Sequence, residues 1–353
     1  MQVAILHQAA SDESAVDEQD VLRQRDAVGA ALRRLGHSVS VLPCTLDLKS
    51  VRDELQRQRP AMVFNLVESL GGSDRLLSLV PLLLEAVGIP YTGASAAAIQ
   101  LTSSKTVAKR RLVEAELPTL PWVDGEHCET ASHRRAASIP FGKPLADGSR
   151  LHEYQLRWPC RWIRKPIYEH ASLGMTDDAV IECQSLDEVR EKTLAWQRKL
   201  RRPCLAEPFV EGRELNVSLL AGRSNEPVVL PIAEIDFLDF PADKPKIVGF
   251  AAKWDEAAPE YGNTARRFPS AKDPLVERVA RLARDCWREF DLSGYCRVDF
   301  RVDEAGQPWI LEINANPCLS SDAGFAAALD QAGIQYDEAI ARIVADALDH
   351  HGG

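Results

Sequence analysis

The chain has 353 residues, 45% of them apolar, and a formal net charge of −10 from 42 basic and 52 acidic side chains. That length suits two or three units of about 100–150 residues, each large enough for a core. The acidic balance argues against a general nucleic-acid binder, and no run approaches the ~18 apolar residues of a membrane span.

Residues 3–7 read as a buried strand, 21–35 as an amphipathic helix closed by Gly36, and 38–42 as a second strand. A helix over about 49–58, a strand over 61–66 and a helix over 75–87 ending at Gly88 continue the alternation. Such alternation predicts a parallel sheet with crossover helices. Ligands of these sheets bind beyond the carboxyl ends of the strands, which singles out the loops Gln8 to Gln19 and Glu68 to Asp74. Thr102-Ser103-Ser104 is a capping signal for a helix to about Leu117. Lys105 falls in its first turn, where a cation opposes the helix dipole; that cost points to another duty. Residues 124–158 carry no assignable pattern.

A second block begins with a strand over 161–165 that ends at Pro166, followed by the small-residue loop Ala171-Ser172-Leu173-Gly174. A helix over 186–200 and a strand over 204–210 lead to a turn at Glu211-Gly212. Strands over 213–220 and 228–237 follow. Residues 251–269 mix Lys253, Trp254, Tyr261, Arg266 and Arg267 with little periodicity, as expected of a mobile lid. A helix over 274–290 precedes a hairpin, and 336–349 read as a last helix.

The hairpin is the most informative stretch. Tyr295-Cys296-Arg297-Val298-Asp299-Phe300-Arg301 and Trp309-Ile310-Leu311-Glu312-Ile313-Asn314 alternate apolar and polar residues across a turn at 303–307. The antiparallel register that pairs Asp299 with Glu312 also pairs Arg297 with Asn314. These four then share one face, and Val298, Phe300, Leu311 and Ile313 share the other. Two carboxylates and an amide oxygen suit Mg²⁺, which takes carboxylates plus phosphate oxygens. A guanidinium alongside would meet charge that develops on a reacting oxygen. The plain alternative is a solvated ladder of ion pairs, worth about 0.2–1 kcal/mol each. It does not account for the Asn-Ala-Asn-Pro end, since Asn and Pro are poor strand residues.

Neither a P-loop nor a dinucleotide fingerprint is present. The loop 171–174 offers backbone N–H groups for phosphates instead, with Lys165 as a point charge. Eight cysteines are scattered without a Cys-x-x-Cys pair. They read as reduced thiols of a cytoplasmic protein rather than as a zinc site, and the N-terminus lacks the basic leader of a signal peptide.

Taken in order, these residues resemble the ATP-grasp superfamily, in particular D-alanine–D-alanine ligase and its relatives. Pro90-Tyr91-Thr92-Gly93 and then Ser104-Lys105 look like the end of the first domain and the first nucleotide lysine. Lys165 with Ser172, Leu173 and Gly174 resembles the second lysine and the phosphate loop. Glu207, Phe209 and Val210 resemble the adenine hinge, Glu214 the ribose carboxylate, and Lys253 the lid lysine. The resemblance implies an N-terminal α/β substrate domain over 1–101. It also implies a central lobe over 102–211 and a C-terminal lobe over 212–353, the two lobes clamping ATP. It implies ATP and Mg²⁺ (or Mn²⁺) as cofactors, the metal held by Asp299, Glu312 and Asn314. A substrate carboxylate would form an acyl phosphate, an amine would attack it, and Arg297 would meet the oxyanion. Amino-acid or peptide substrates are implied, and a homodimer is allowed.

The departures fall in the substrate pockets. The family's first loop is glycine-rich and carries a glutamate for the first substrate's ammonium; here Asp17 or Glu18 lies in the equivalent region. Its His-Gly is replaced by Glu68-Ser69, which makes Glu68 a candidate reader of an ammonium group. Ala323 stands near the place of a carboxylate-binding serine, beside Ser320, Ser321 and Asp322. The expectation is an amino-acid or peptide ligase whose substrates are not two D-alanines. Genuine D-alanine–D-alanine ligation and a nucleotide-binding regulator without turnover are the alternatives. The intact metal and lysine set argues against the regulator.

Overall fold

A computed structural model describes residues 1–10, 16–124, 156–169, 175–222, 226–241, 243–255 and 257–351, with residues 16–19 and 351 described by backbone alone. The N-terminal part runs β1 (Gln2–Gln8), α1 (Val16–Arg34), β2 (Ser38–Cys44), α2 (Leu48–Gln58), β3 (Met62–Asn65), α3 (Leu79–Val87), α4 (Ala96–Ser103) and α5 (Lys105–Glu114). Its strands form a parallel sheet in the order β2-β1-β3. Val3 to Leu6 are all fully buried because β1 is covered on both faces. Ala4 and Leu6 enter one core, Val3 and Ile5 another, as alternation along a strand requires.

The central part holds β4 (Val123–Asp124), β5 (Cys160–Pro166), β6 (Val180–Cys183), α6 (Leu186–Leu200) and β7 (Cys204–Pro208). Its antiparallel sheet has the order β4-β7-β5-β6. Ser185 caps α6 by accepting from Glu188 N, and Val189, Thr193 and Trp196 form the buried face.

The C-terminal part comprises β8 (Arg213–Leu220), β9 (Val228–Val229), β10 (Ala233–Phe237), α7 (Phe250–Trp254), α8 (Pro259–Gly262) and β11 (Thr264–Arg267). It continues through α9 (Pro274–Glu289), β12 (Tyr295–Val302), β13 (Pro308–Asn314), α10 (Gly324–Ala332) and α11 (Tyr336–His351). Among the described residues its strands form a sheet in the order β11-β10-β8-β12-β13, with β9 on β8. Helix α9 lays Val279, Ala283, Cys286 and Trp287 into the core beneath β8 and β12. At the entry to β8, Gly212 has φ 146°, and a Cβ there would stand 2.0 Å from the Val302 carbonyl oxygen. Only glycine lets the chain pass that close.

Several expectations need correction. The strand over 228–237 is broken between β9 and β10 by Leu230-Pro231-Ile232, since Pro231 lacks a ladder N–H. The helix over 75–87 splits into a 3₁₀ turn at Asp74–Leu76 and α3. Pro81 is tolerated in a first turn but crowds the carbonyl four residues earlier, so α3 cannot reach back. The helix of Lys105 ends at Glu114, short of Leu117, and Ser104 stands at its N-cap without a side-chain cap bond. Residues 251–269 are not structureless: α7, α8 and β11 occupy them, and β11 pairs with β10. Helices α4 and α10 went unpredicted, although α10 buries Phe325, Ala326, Ala328 and Leu329 at helical spacing.

The hairpin register is as expected where the polar residues stand: Arg297 opposes Asn314 and Asp299 opposes Glu312. A bulge then shifts the register, so Phe300 opposes Ile310 rather than Leu311. A bulge inserts one unpaired residue and turns the strand. Ile310 thereby takes the fully buried core position, and Leu311 turns to the opposite side against Leu120, Val210 and Trp309. The expectation that Leu311 shares the core face is overturned.

Candidate active site

A cavity of about 700 Å³ is lined by loops of the N-terminal part and by both antiparallel sheets. Strands β5 and β7 contribute Lys165 and Glu207, with Phe209 and Val210 just beyond β7. Glu214 and Asn216 come from β8, and Arg297 and Asp299 from β12. Leu311, Glu312 and Asn314 come from β13. Lys253 of α7 and Arg266 of β11 line it from the segment expected to be a lid.

At one end Glu207 is 1% exposed and lies between two ammonium groups, Lys165 Nζ and Lys109 Nζ, each 2.6 Å from one carboxylate oxygen. Burial works against the Glu207 charge, but the two lysines outweigh it and hold its pKa below the usual value. Lys109 also donates to Thr119 Oγ1 at 2.9 Å and to the Leu120 carbonyl at 3.1 Å. The sequence reading missed Lys109. Its spacing of four from Lys105 puts both on one helix face, which was the available signal. Lys105 itself donates to the Glu169 carbonyl at 2.6 Å and lies 3.5 Å from Glu312. Lys105 thus connects the Glu169 backbone to Glu312 of the hairpin.

In the middle, Arg297 grips Asp299 with two hydrogen bonds of 2.8 and 2.9 Å. Residues two apart on a strand share a face, which makes this grip possible. Burial opposes the guanidinium charge, but Asp299 and Glu312 outweigh it, so Arg297 stays protonated. Asn216 donates to Asp299 Oδ1 at 2.8 Å; it was also missed, although it stands two residues beyond Glu214 on the same strand face. Asn314 Oδ1 accepts from Asn316 N at 3.0 Å, so its amide direction is set by a backbone donor. Glu214 pairs with Arg301 at 2.7 Å. Half-buried Lys253 has a lowered pKa, from burial first and then the Arg297 charge, against Asp299, Glu312 and Glu214.

The donor set can be tested against a divalent ion. Among the described residues no three His, Cys, Asp or Glu side chains form a metal cage. Mg²⁺ does not need one: it is usually held by one or two carboxylates with phosphate oxygens and water. Asp299 and Glu312 on opposed positions, with Asn314 one turn of the pleat along, fit that pattern.

At the other end the cavity meets Gln8, Asp20, Arg23 and Glu68 from the N-terminal part, and Asn316, Cys318 and Ser320 from the loop after the hairpin. Glu68 N donates to Gln8 Oε1 at 3.0 Å, and Glu68 Oε1 accepts from Gln24 at 2.7 Å. Burial pushes the Cys318 thiol pKa up, with Glu68 and Asp20 acting in the same direction. The thiol stays protonated and donates to Asp20 Oδ2 at 2.9 Å. Ser320 lines this end, whereas Ser321 is exposed and off the wall, so Ser321 is dropped as a candidate. Asp17 and Glu18 fall in the first turn of α1, and their side chains lie outside the described residues, as do Ser172, Leu173 and Gly174. Arg266, unassigned from sequence, brings Nη2 to 3.5 Å from where a Cβ on Gly324 would stand, at the start of α10.

Residues 146–345 match the family model described as D-ala D-ala ligase C-terminus. A D-alanine–D-alanine ligase of Moorella thermoacetica is 27% identical over 99% of this chain and 100% of its own length. An uncharacterized protein, y4sG, of Sinorhizobium fredii is 29% identical over 90% of this chain and 85% of its own. The fold is similar to that of a D-alanine–D-alanine ligase from Bacillus anthracis complexed with ATP. The TM-score is 0.69 at 19% identity, covering 100% of this chain and 99% of that one. The model match spans more than half of the chain, and the chain belongs to that family of ATP-dependent ligases, with the ATP-grasp fold. No described helix is long and apolar enough to cross a membrane.

Proposed function

We propose that this member of the D-ala D-ala ligase family joins a carboxylate to an amine through an acyl phosphate, using ATP and Mg²⁺, with amino acids or a short peptide as substrates. The observation that carries the reading is the convergence on one cavity wall of Arg297, Asp299, Glu312 and Asn314 with Lys105, Lys165 and Lys253. Seven groups of this kind suit phosphoryl transfer, where positioning and charge neutralisation do most of the work.

In this reading Glu207, Phe209 and Val210 face the base, with Leu311 beneath it, and Glu214 faces the ribose. Lys105, Lys165 and Lys253 contact the phosphates, together with the 171–174 loop. Asp299, Glu312 and Asn314 would hold Mg²⁺, which when bound neutralises phosphate charge. The substrate carboxylate attacks the terminal phosphorus, releasing ADP, and the amine then displaces phosphate from the acyl group. Arg297 sits where the tetrahedral oxyanion forms. The acidic end receives the amino groups: Glu68 reads an ammonium, and Asp20 adds to the negative field. Arg266 and Ser320 face a substrate carboxylate and offset Asp322. This distribution supports substrates other than two D-alanines.

The test is phosphate release with ATP and Mg²⁺ against a panel of D- and L-amino acids and dipeptides, with mass spectrometry of the products. A new amide from an unlike pair supports the full proposal. D-alanyl-D-alanine as the preferred product keeps the reaction and refutes the altered pocket. ATP binding without release under any mixture refutes the ligase reading.

A further inference from the structure

Glu68 reaches the cavity from the loop after β3, and loops do not hold side chains still by themselves. What holds this one is Gln24, in the middle of α1. Gln24 is 1% exposed and does not line the cavity. Its Oε1 accepts from Leu319 N at 2.7 Å, and its Nε2 donates to Glu68 Oε1 at 2.7 Å. The direction of this amide is not open. A backbone N–H only donates, so the Gln24 oxygen must face Leu319, and its nitrogen is left to face Glu68. The group at position 68 must therefore be an acceptor, as an ionised carboxylate is.

Leu319 belongs to the loop that follows β13. The same loop makes a second crossing: Asn316 Nδ2 donates to the carbonyl of Val67, the residue before Glu68, at 2.9 Å. Tyr295 OH fixes that amide by donating to Asn316 Oδ1 at 2.6 Å. Gln8 Oε1 takes the Glu68 N–H at 3.0 Å. Backbone and carboxylate of Glu68 are thus located by three buried or half-buried amide side chains. Two of these, Gln24 and Asn316, tie the Glu68 loop to the loop leaving the hairpin.

We propose that Gln24 is a positioning residue that aims the Glu68 carboxylate at a substrate ammonium and ties that aim to the loop leaving the Arg297–Asn314 hairpin. The inference rests on the proposed reading of Glu68 as the ammonium acceptor. It adds how the acceptor is aimed and why a neutral residue deep in α1 should affect selectivity.

The experiment compares Gln24→Met, Glu68→Gln and the combined variant in the full chain. Phosphate release is followed with the same panel of D- and L-amino acids, and with the matching carboxylic acids that lack the amine (propionate for alanine). Each single change is expected to raise the KM of the stimulating amino acid about tenfold. The KM for ATP and the response to the matching acid should not move. The combined variant should be no worse than either single one, because both changes remove one interaction. If Glu68→Gln raises the KM while Gln24→Met leaves it unchanged, or if the two effects multiply, the positioning role is refuted and the Glu68 reading survives. If Glu68→Gln changes nothing, or no amino acid of the panel stimulates the parent protein, the Glu68 reading fails and the inference fails with it.

A folding defect in Gln24→Met is separated by the exchange Gln24→Glu with Glu68→Gln. That pair keeps both hydrogen bonds but moves the charge away from the cavity. It should fold as the parent does and keep the raised KM. Restoration of the parent KM by the exchange would refute the inference, since contact alone would then suffice.

Discussion

The two ends of the cavity are built differently. The proposed nucleotide end and the middle are built mostly of charges on strands: Lys165 and Glu207 on β5 and β7, Arg297 and Asp299 on β12, Glu214 on β8, with Lys105 and Lys253 added from helices. The strand charges are locked by opposite charges at 2.6–2.8 Å. The proposed substrate end is made of loops and helix α1, and its contacts are mostly amides, a thiol and hydroxyls. Sheet-borne charges keep their places through the ladder, whatever the substrate. Loop-borne polar groups keep theirs only through hydrogen bonds to one another. A family can therefore hold one reaction constant at the first end and vary its substrates at the second.

The sharpest way to break this contrast is to remove the charge at the centre of the rigid end. Glu207→Gln leaves Lys109 and Lys165 facing a neutral amide in a buried site. Breaking a buried pair in this way costs about 3–5 kcal/mol. A fall of that size in the unfolding free energy is expected, read as a lower denaturant midpoint at unchanged slope; an unchanged midpoint would show that the lysines find other partners. Arg297→Met should next lower kcat about 10²–10³-fold if it meets the oxyanion, with little change in the KM for ATP. A loss confined to that KM would assign Arg297 to nucleotide binding instead.

Lys253 gives a pH signature. Its pKa lies below the ordinary lysine value of 10.5, burial being the first cause. The amine must be charged to attract phosphates, so kcat/KM for ATP should fall as pH rises through that lowered pKa. Lys253→Arg should move this limb to higher pH, because a guanidinium stays charged. A limb unmoved by the substitution would belong to another group. The smallest effect is expected at the surface. Arg34 joins Asp337 by two hydrogen bonds of 2.7 and 2.6 Å, yet the Arg34 side chain is 57% exposed and that of Asp337 33%. Arg34→Ala should leave the thermal midpoint nearly where it was, since exposed pairs contribute little. A shift comparable to that of Glu207→Gln would mean that burial does not set the scale.

Strand alternation and turn chemistry are local, and they sufficed to place four of the central residues. Arg297, Asp299, Glu312 and Asn314 stand opposed as the alternating arms of the hairpin require. The same rule put Glu214 on a strand and Lys165 at the end of another. Helix α6 was legible to the residue because Ser185 caps it and its apolar face repeats. Helix α4 was not legible: the small residues of Ala96–Ser103 carry little periodic contrast, and their burial comes from neighbours. Helix α10 was missed although Phe325 and Leu329 stand four apart on its buried face.

What only the tertiary structure decided are relations between residues far apart in the chain. The bulge after Asp299 follows from packing of the whole sheet, and it exchanges Leu311 for Ile310 in the core. The burial of Glu207 between two lysines depends on Lys109 of α5 and Lys165 of β5 both reaching it on β7, and a propensity cannot report that. The contact of Gln24 with both Glu68 and Leu319 spans 44 and 295 residues. A sequence encodes such contacts only through the free energy of the complete fold. Period and propensity act over one turn or one strand, whereas these hydrogen bonds exist only once the sheets and helices have been brought together.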